Sequence, residues 1–317
     1  MPPFVPFFRN PHLATLAGHF WSRPEVDARW PPQPTYYDTE PGVKVLVVSH
    51  QPDGPPRGEL VMVHGLEGSS EAGYKRSMAS AALERGFIVH RFNMRSCGGT
   101  DHLAPTAYHA GQTSDLLSFL RARKQAGAGR MFLIGFSLGG NVVLKLAGEN
   151  PQEANTLLAG VCGVSTPIDL GICAHAIGRK QNFIYQRRFL AALKNRIRRR
   201  HLQAPQTYTL EHLPKVHSIV DFDDYYTSRL FGFGTAANYF RTQSCGQFLD
   251  RIQIPALLIT AKDDPLVPFE IYAHPAFAAN PNLRLITPEQ GGHLGFLSRR
   301  RPRFWLDGVV LDWIETL

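Results

Sequence analysis

Three residue types, in a fixed order along the chain, could carry nucleophilic acyl transfer: Ser137 within Gly135-Phe136-Ser137-Leu138-Gly139, a carboxylate at Asp263 or Asp264, and His293. A serine hydroxyl is a poor nucleophile at neutral pH, so it needs a base to take its proton and a third group to orient that base. In G-x-S-x-G the glycines let a sharp strand-to-helix turn close and project the serine above a sheet. The flanks fit that geometry. Met131-Phe-Leu-Ile134 reads as a buried strand, and Asn141-Val-Val-Leu-Lys-Leu-Ala147 as a helix. Ile254 to Lys262 reads as a strand running into Asp263-Asp264-Pro265-Leu266-Val267-Pro268, which puts a carboxylate at a strand's C-terminal end, where ligand sites of open α/β sheets lie. Leu283-Arg-Leu-Ile-Thr287 leads to Gly291-Gly292-His293, whose glycines leave room for the imidazole to reach Ser137.

Acyl transfer also needs N–H donors for the oxyanion of the tetrahedral intermediate. His64-Gly65-Leu66 follows the strand Leu60-Val-Met-Val63, so the backbone N–H groups of Leu66 and Leu138 are the expected donors, and His64 is expected to make local loop contacts. Gly68-Ser-Ser-Glu-Ala-Gly73-Tyr74-Lys75 lacks the G-K-[ST] of a phosphate loop, because Tyr74 stands where glycine is required. The histidine pairs His102/His109 and His212/His217 have no H-E-x-x-H pattern or neighbouring cysteines, so no catalytic metal is expected.

The elements that must position these residues alternate: strand at 43–48 and 59–63, helix at 74–85, strand at 87–92, helix at 114–124, strand at 131–134, helix at 141–148, then strands at 157–164, 255–261 and 283–287. Such alternation predicts crossover units, a mostly parallel central sheet and helices on both faces. Residues 1–40 are rich in proline and aromatics, which suits an arm packed on a core better than a helix or a central strand. The rhythm breaks over 167–251, which is assigned to a helical cap insertion between core segments 41–166 and 252–317.

The chain has 317 residues and a net charge of +8, and its four cysteines are widely spaced without C-x-x-C, which argues against a zinc ribbon or a disulfide scaffold. With no apolar leader at Met1 and no 18-residue apolar run, a cytoplasmic, soluble protein is expected. Arg179 to Arg200 holds nine Lys and Arg and no acid, and Tyr185, Phe189, Leu193 and Ile197 form an apolar stripe through it. The expectation is a cap helix packed on the core with a solvated cationic face. A second reading is that this face makes peripheral contact with anionic membrane. Nucleic acid is not expected, because no binding motif accompanies the charge.

Beyond the elbow, Asn10-Pro-His-Leu13, His64-Gly-Leu-Glu-Gly-Ser-Ser70, Asn93-Met-Arg95, Tyr108-His-Ala-Gly111, Tyr185-Gln-Arg-Arg-Phe-Leu190 and Phe222-Asp-Asp224 run through nearly the whole chain. Together they resemble the YheT-like esterases of the α/β-hydrolase superfamily, related to the plant embryogenesis-associated protein and mammalian phospholipase-like hydrolases. The D-P-x-x-P of Asp264 to Pro268 is similar to the acid loop of such hydrolases, which favours Asp264 over Asp263. The resemblance implies an α/β-hydrolase fold, a triad on Ser137, Asp264 and His293, no cofactor, and a small-molecule ester substrate of short-chain or lipid-like acyl type. Ser96-Cys-Gly-Gly99 departs from it, since glycine is expected directly after Arg95. A thioesterase or amidase would use the same triad, and an idle scaffold acting as a binding protein is the alternative outside enzymes.

Overall fold

The β-branched runs form strands β1 (Gln33–Glu40), β2 (Val43–His50), β3 (Glu59–Val63), β4 (Ile88–Phe92), β5 (Met131–Phe136), β6 (Gly160–Val164), β7 (Ala256–Ile259) and β8 (Leu283–Ile286). In the computed structural model, which describes residues 3–317, they make one eight-stranded sheet in the order β1-β2-β4-β3-β5-β6-β7-β8. Pairing is parallel from β4 through to β8, while β1 and β2 are antiparallel at one edge. Strands β3 and β5 are buried at every position, as strands covered on both faces must be.

Among the described residues, eight helices of eight residues or more accompany the sheet: α1 (Pro11–Phe20), α2 (Gly73–Glu84), α3 (Ser114–Gln125), α4 (Leu138–Glu149), α5 (Leu170–Ile177), α6 (Phe183–Gln203), α7 (Ala236–Gln243) and α8 (Trp305–Glu315). Leu116 and Phe119 of α3 join Val142 and Leu146 of α4 in the core on one face of the sheet. Met78 and Ala82 of α2 join Val309 and Trp313 of α8 on the other. This is the expected fold class, a mostly parallel sheet layered between helices. The last turn of the chain before β6 differs from expectation: Leu157 ends a short helix, Pro151–Leu157, that Pro151 starts, so the strand begins only at Gly160.

The arm needs a larger correction. Met1 and Pro2, its first residues, lie outside the described residues, but Pro11–Phe20 is a ten-residue helix. Asn10 caps it by accepting hydrogen bonds from the N–H groups of His12 and Leu13, and Pro11 occupies the first turn, where a missing N–H costs nothing. The arm, expected to pack without a helix, thus carries one that Pro11 starts. Gln33–Glu40 then adds an edge strand.

Between β6 and β7, helices α5 to α7 and shorter turns gather a third apolar cluster that includes Leu170, Leu193, Ile197, Ile219, Phe222 and Tyr239. The stripe on α6 packs as expected, but its cationic face is not wholly solvated. Arg196 and Arg200 are buried. They lie three residues after Leu193 and Ile197, on the same side of the helix. Arg196 pairs with Glu67 at 2.6 Å and lies over the Tyr108 ring at 4.3 Å. Arg200 donates to the carbonyls of Asp101 and Ala104. Among the described residues, no helix is long and apolar enough to cross a membrane.

Candidate active site

Ser137 is the hinge between β5 and α4, and it adopts a strained turn. Its backbone has φ 54° and ψ −122°. A non-glycine residue held there costs about 1–3 kcal/mol, which the surrounding packing must offset. The flanking glycines serve close approach: a Cβ on Gly139 would sit 2.5 Å from the carbonyl oxygens of Val63 and His64, and one on Gly135 would overlap the Gly139 carbonyl. The first turn of α4 therefore presses against the end of β3, and Ser137 is pushed out above the sheet.

His293 reaches it from the loop after β8. Its Nε2 lies 2.9 Å from Ser137 Oγ, and its Nδ1 lies 2.8 Å from Asp264 Oδ2. The other oxygen of Asp264 accepts hydrogen bonds from the N–H groups of Leu266 (2.8 Å) and Val267 (3.0 Å), so the carboxylate cannot swing away. Asp263 points elsewhere and accepts from the Gly292 N–H at 2.8 Å. Burial raises the Asp263 carboxyl, the Gly292 hydrogen bond lowers it, and the charge of Asp264 adds to the rise. Of the two adjacent carboxylates, one faces the imidazole and the other holds the loop that carries it.

A residue that sequence reasoning missed completes this support. The backbone N–H of His293 donates to Thr15 Oγ1 at 2.9 Å, and the Thr15 hydroxyl donates to the Pro11 carbonyl within α1 at 2.7 Å. The signal that could have found it was the Asn10-Pro11 helix start, which puts Thr15 one turn in. Thr15→Val keeps the shape and removes the acceptor, so any turnover that runs through His293 should fall about tenfold in kcat with KM nearly unchanged. Unaltered kcat in steady-state assays would show that the loop holds itself.

The loop after β3 is fastened by side chains from elsewhere. His64 is fully buried, and burial, aided by the nearby Lys75 charge, drives its pKa well below the ordinary value. Its Nε2 lies 3.1 Å from the Met94 backbone N and so accepts, which leaves Nδ1–H to donate to the Gly65 carbonyl at 2.8 Å. This neutral histidine holds the loop, as expected. The Gly65 N–H donates to the Tyr74 hydroxyl at 3.0 Å, and the Glu67 N–H to the Tyr108 hydroxyl at 2.8 Å. Between these anchors, no hydrogen bond among the described residues engages the N–H of Leu66. Leu138 opens α4, where first-turn N–H groups have no intrahelical partner. Both residues line the same cavity as Ser137 and His293.

Two cavities meet at Ser137. One, of roughly 830 Å³ with its mouth, runs beneath the insert and is walled mainly by apolar side chains such as Leu170, Ile177, Leu193, Ile219 and Phe240. The other, of roughly 1300 Å³, opens between α1, the 65–74 loop and α6, with Thr15, His19, Glu67 and Arg188 on its walls. A site of this form can bind an apolar chain on one side of the serine and a more polar group on the other.

Residues 59–299 match the family described as the alpha/beta hydrolase fold. YheT of Escherichia coli strain K12 is 30% identical over 99% of this chain and 93% of its own length. Phospholipase ABHD3 of Mus musculus is 26% identical over 84% of this chain, which spans 65% of that relative. Monoacylglycerol lipase of Saccharomyces cerevisiae is 27% identical over 78% of the chain, which spans 56% of it. Among solved structures, the esterase Pf2001 of Pyrococcus furiosus superposes with a TM-score of 0.61 at 17% identity, covering 100% of this chain and 99% of that one, a likeness of fold. With an elbow serine on a mostly parallel sheet and a family match over three quarters of its length, this chain belongs to the α/β-hydrolase fold family, among its esterase- and lipase-like members.

Proposed function

We propose that the protein hydrolyses carboxylic esters through an acyl-enzyme intermediate. The observation that carries this is the continuous chain Ser137 Oγ, His293 Nε2, His293 Nδ1, Asp264 Oδ2, with links of 2.9 and 2.8 Å. His293 accepts the Ser137 proton as Oγ attacks the ester carbonyl, and the developing oxyanion takes hydrogen bonds from the N–H groups of Leu66 and Leu138. The protonated imidazole then gives its proton to the departing alcohol. Water, deprotonated by the same imidazole, cleaves the acyl-enzyme and restores the serine. Asp264 keeps Nδ1 protonated and stabilises the imidazolium. The apolar cavity supports an acyl chain, and the wider, more polar one supports the alcohol side.

A series of p-nitrophenyl esters of increasing acyl length, set beside matched thioesters and anilides, tests the reading. Ester turnover with a chain-length optimum is expected. Faster thioester or anilide cleavage would favour those activities, and no turnover of any member would favour a binding scaffold.

We also propose that the mouth of the site touches anionic lipid surfaces. Leu13 and Phe20 on α1 are 53% and 74% exposed, and Phe183 and Ile184 on α6 are 61% and 52% exposed. The two helices touch through His12–Tyr185 and His19–Arg188, and exposed Arg179, Lys180, Arg187 and Arg188 lie near the apolar residues on α6. Apolar groups beside cations match a bilayer carrying anionic headgroups. Replacing Phe20 and Phe183 with serine should lower binding to anionic vesicles about tenfold or more by sedimentation, with turnover of a water-soluble ester retained. Equal binding of the variant would remove the proposal.

A further inference from the structure

The apolar cavity beside Ser137 contains polar atoms that acyl transfer does not use. Asp223 lies in Asp223–Thr227, a segment wound as a π-helix, a rare turn that re-aims side chains relative to an α-helix. Its carboxyl accepts one hydrogen bond, from Thr227 Oγ1 at 2.6 Å. A carboxyl group has further lone pairs, and no other donor among the described residues meets them. Burial pushes this carboxyl up to about 7 against the lowering effect of Thr227.

His109, from the core, lines the same cavity. Its Nδ1 lies 3.1 Å from the Gly111 backbone N and accepts that proton, so the ring's own hydrogen is on Nε2. Burial, with the charges of Lys145 and Arg95 adding to it, drives the imidazole down to about 3, so the ring is neutral and Nε2–H is a donor without a protein acceptor among the described residues. Phe231, Phe233 and Tyr239 hold the ring, at centroid distances of 4.7, 5.3 and 6.0 Å. The Tyr239 hydroxyl, raised first by burial, is raised further by the charge of Asp223. Acceptor and donor therefore both neighbour Tyr239, in a cavity whose walls are otherwise mostly carbon.

An alkyl chain filling this space would leave both groups unpaired and dry, which is unfavourable for each. A hydroxyl carries what each group lacks, a proton for the Asp223 carboxyl and a lone pair for His109 Nε2–H. We propose that Asp223 and His109, with Thr227 orienting the carboxyl, form a recognition site for a hydroxyl group carried on the acyl chain, so that the preferred substrates are esters of hydroxylated acids. This rests on the acyl-enzyme reading of Ser137.

The test uses p-nitrophenyl octanoate and its isomers with a hydroxyl at each successive carbon, assayed with the full-length wild type, Asp223→Leu and His109→Phe. In the wild type, one isomer should exceed the plain ester in kcat/KM by about tenfold or more, and each substitution should bring that ratio to unity or below. A structural role alone would lower both esters together and leave the ratio unchanged. His109→Phe keeps the aromatic packing and carries the test if Asp223→Leu does not fold. The proposal is overturned if no isomer outpaces the plain ester in the wild type, or if His109→Phe keeps the wild-type ratio. Labelling of Ser137 by a fluorophosphonate in the same preparations separates the two readings. Labelling without hydroxyl preference overturns this site alone, whereas an unlabelled wild type overturns the acyl-enzyme reading beneath it.

Discussion

Ser137→Ala is expected to abolish fluorophosphonate labelling and to lower ester kcat by roughly a millionfold, the scale that follows removal of the nucleophile from a serine triad. The alanine leaves Gly135, Gly139 and the loop contacts in place, so the N–H groups proposed for the oxyanion still act, and a residual rate about a thousandfold above water is expected from them and from binding. Because the φ of 54° is imposed by packing and not by the hydroxyl, the variant should fold, with a thermal midpoint close to wild type. Labelling that persists in Ser137→Ala would place the reactive group elsewhere.

Asp264→Asn is expected to lower kcat by roughly 10⁴-fold, the size of effect reported by triads whose histidine is forced into the wrong tautomer. The reason can be read from the hydrogen bonds. The N–H groups of Leu266 and Val267 both point at Oδ1, so an asparagine must keep its carbonyl oxygen there and turn its NH2 toward His293 Nδ1. Nδ1 then has to accept, the ring hydrogen moves to Nε2, and the imidazole cannot take the Ser137 proton. Asp263→Asn keeps an acceptor for the Gly292 N–H, so its kcat should stay within about tenfold of wild type. A pH-independent collapse in Asp263→Asn with an active Asp264→Asn would reverse the assignment of the two carboxylates.

The contrast between these neighbours shows where sequence reasoning stops. Strand, turn and helix around Ser137 were readable because each depends on contacts a few residues apart: a run of buried β-branched and aromatic residues, glycines where backbones approach, then a helical pattern. The order of nucleophile, acid and histidine was readable for the same reason, since each follows its own strand. Asp263 and Asp264 differ by one position, and in the sequence only the likeness of D-P-x-x-P to a hydrolase acid loop favours Asp264. Only the folded loop turns one toward Nδ1 of His293 and the other toward the Gly292 amide.

The arm and the insert mark the same boundary. The proline- and aromatic-rich composition of residues 1–40 argues for an arm over a helix, and the cap signal that makes Pro11 a helix start lies in Asn10 beside it. Nothing local joins Thr15 to His293, 278 residues away. The basic run on α6 looked like one solvated face because charge usually seeks water. Its burial at Arg196 and Arg200 follows from partners, Glu67 and the carbonyls of residues 101 and 104, that lie about a hundred residues earlier in the chain. Local sequence thus determined the elements and the chemistry each could offer, because helix, strand and turn preferences act over a few residues. Which carboxylate faces the histidine, which arginines are buried, and which polar atoms enter the apolar cavity were decided by tertiary packing, because those choices depend on groups that only the completed sheet brings together.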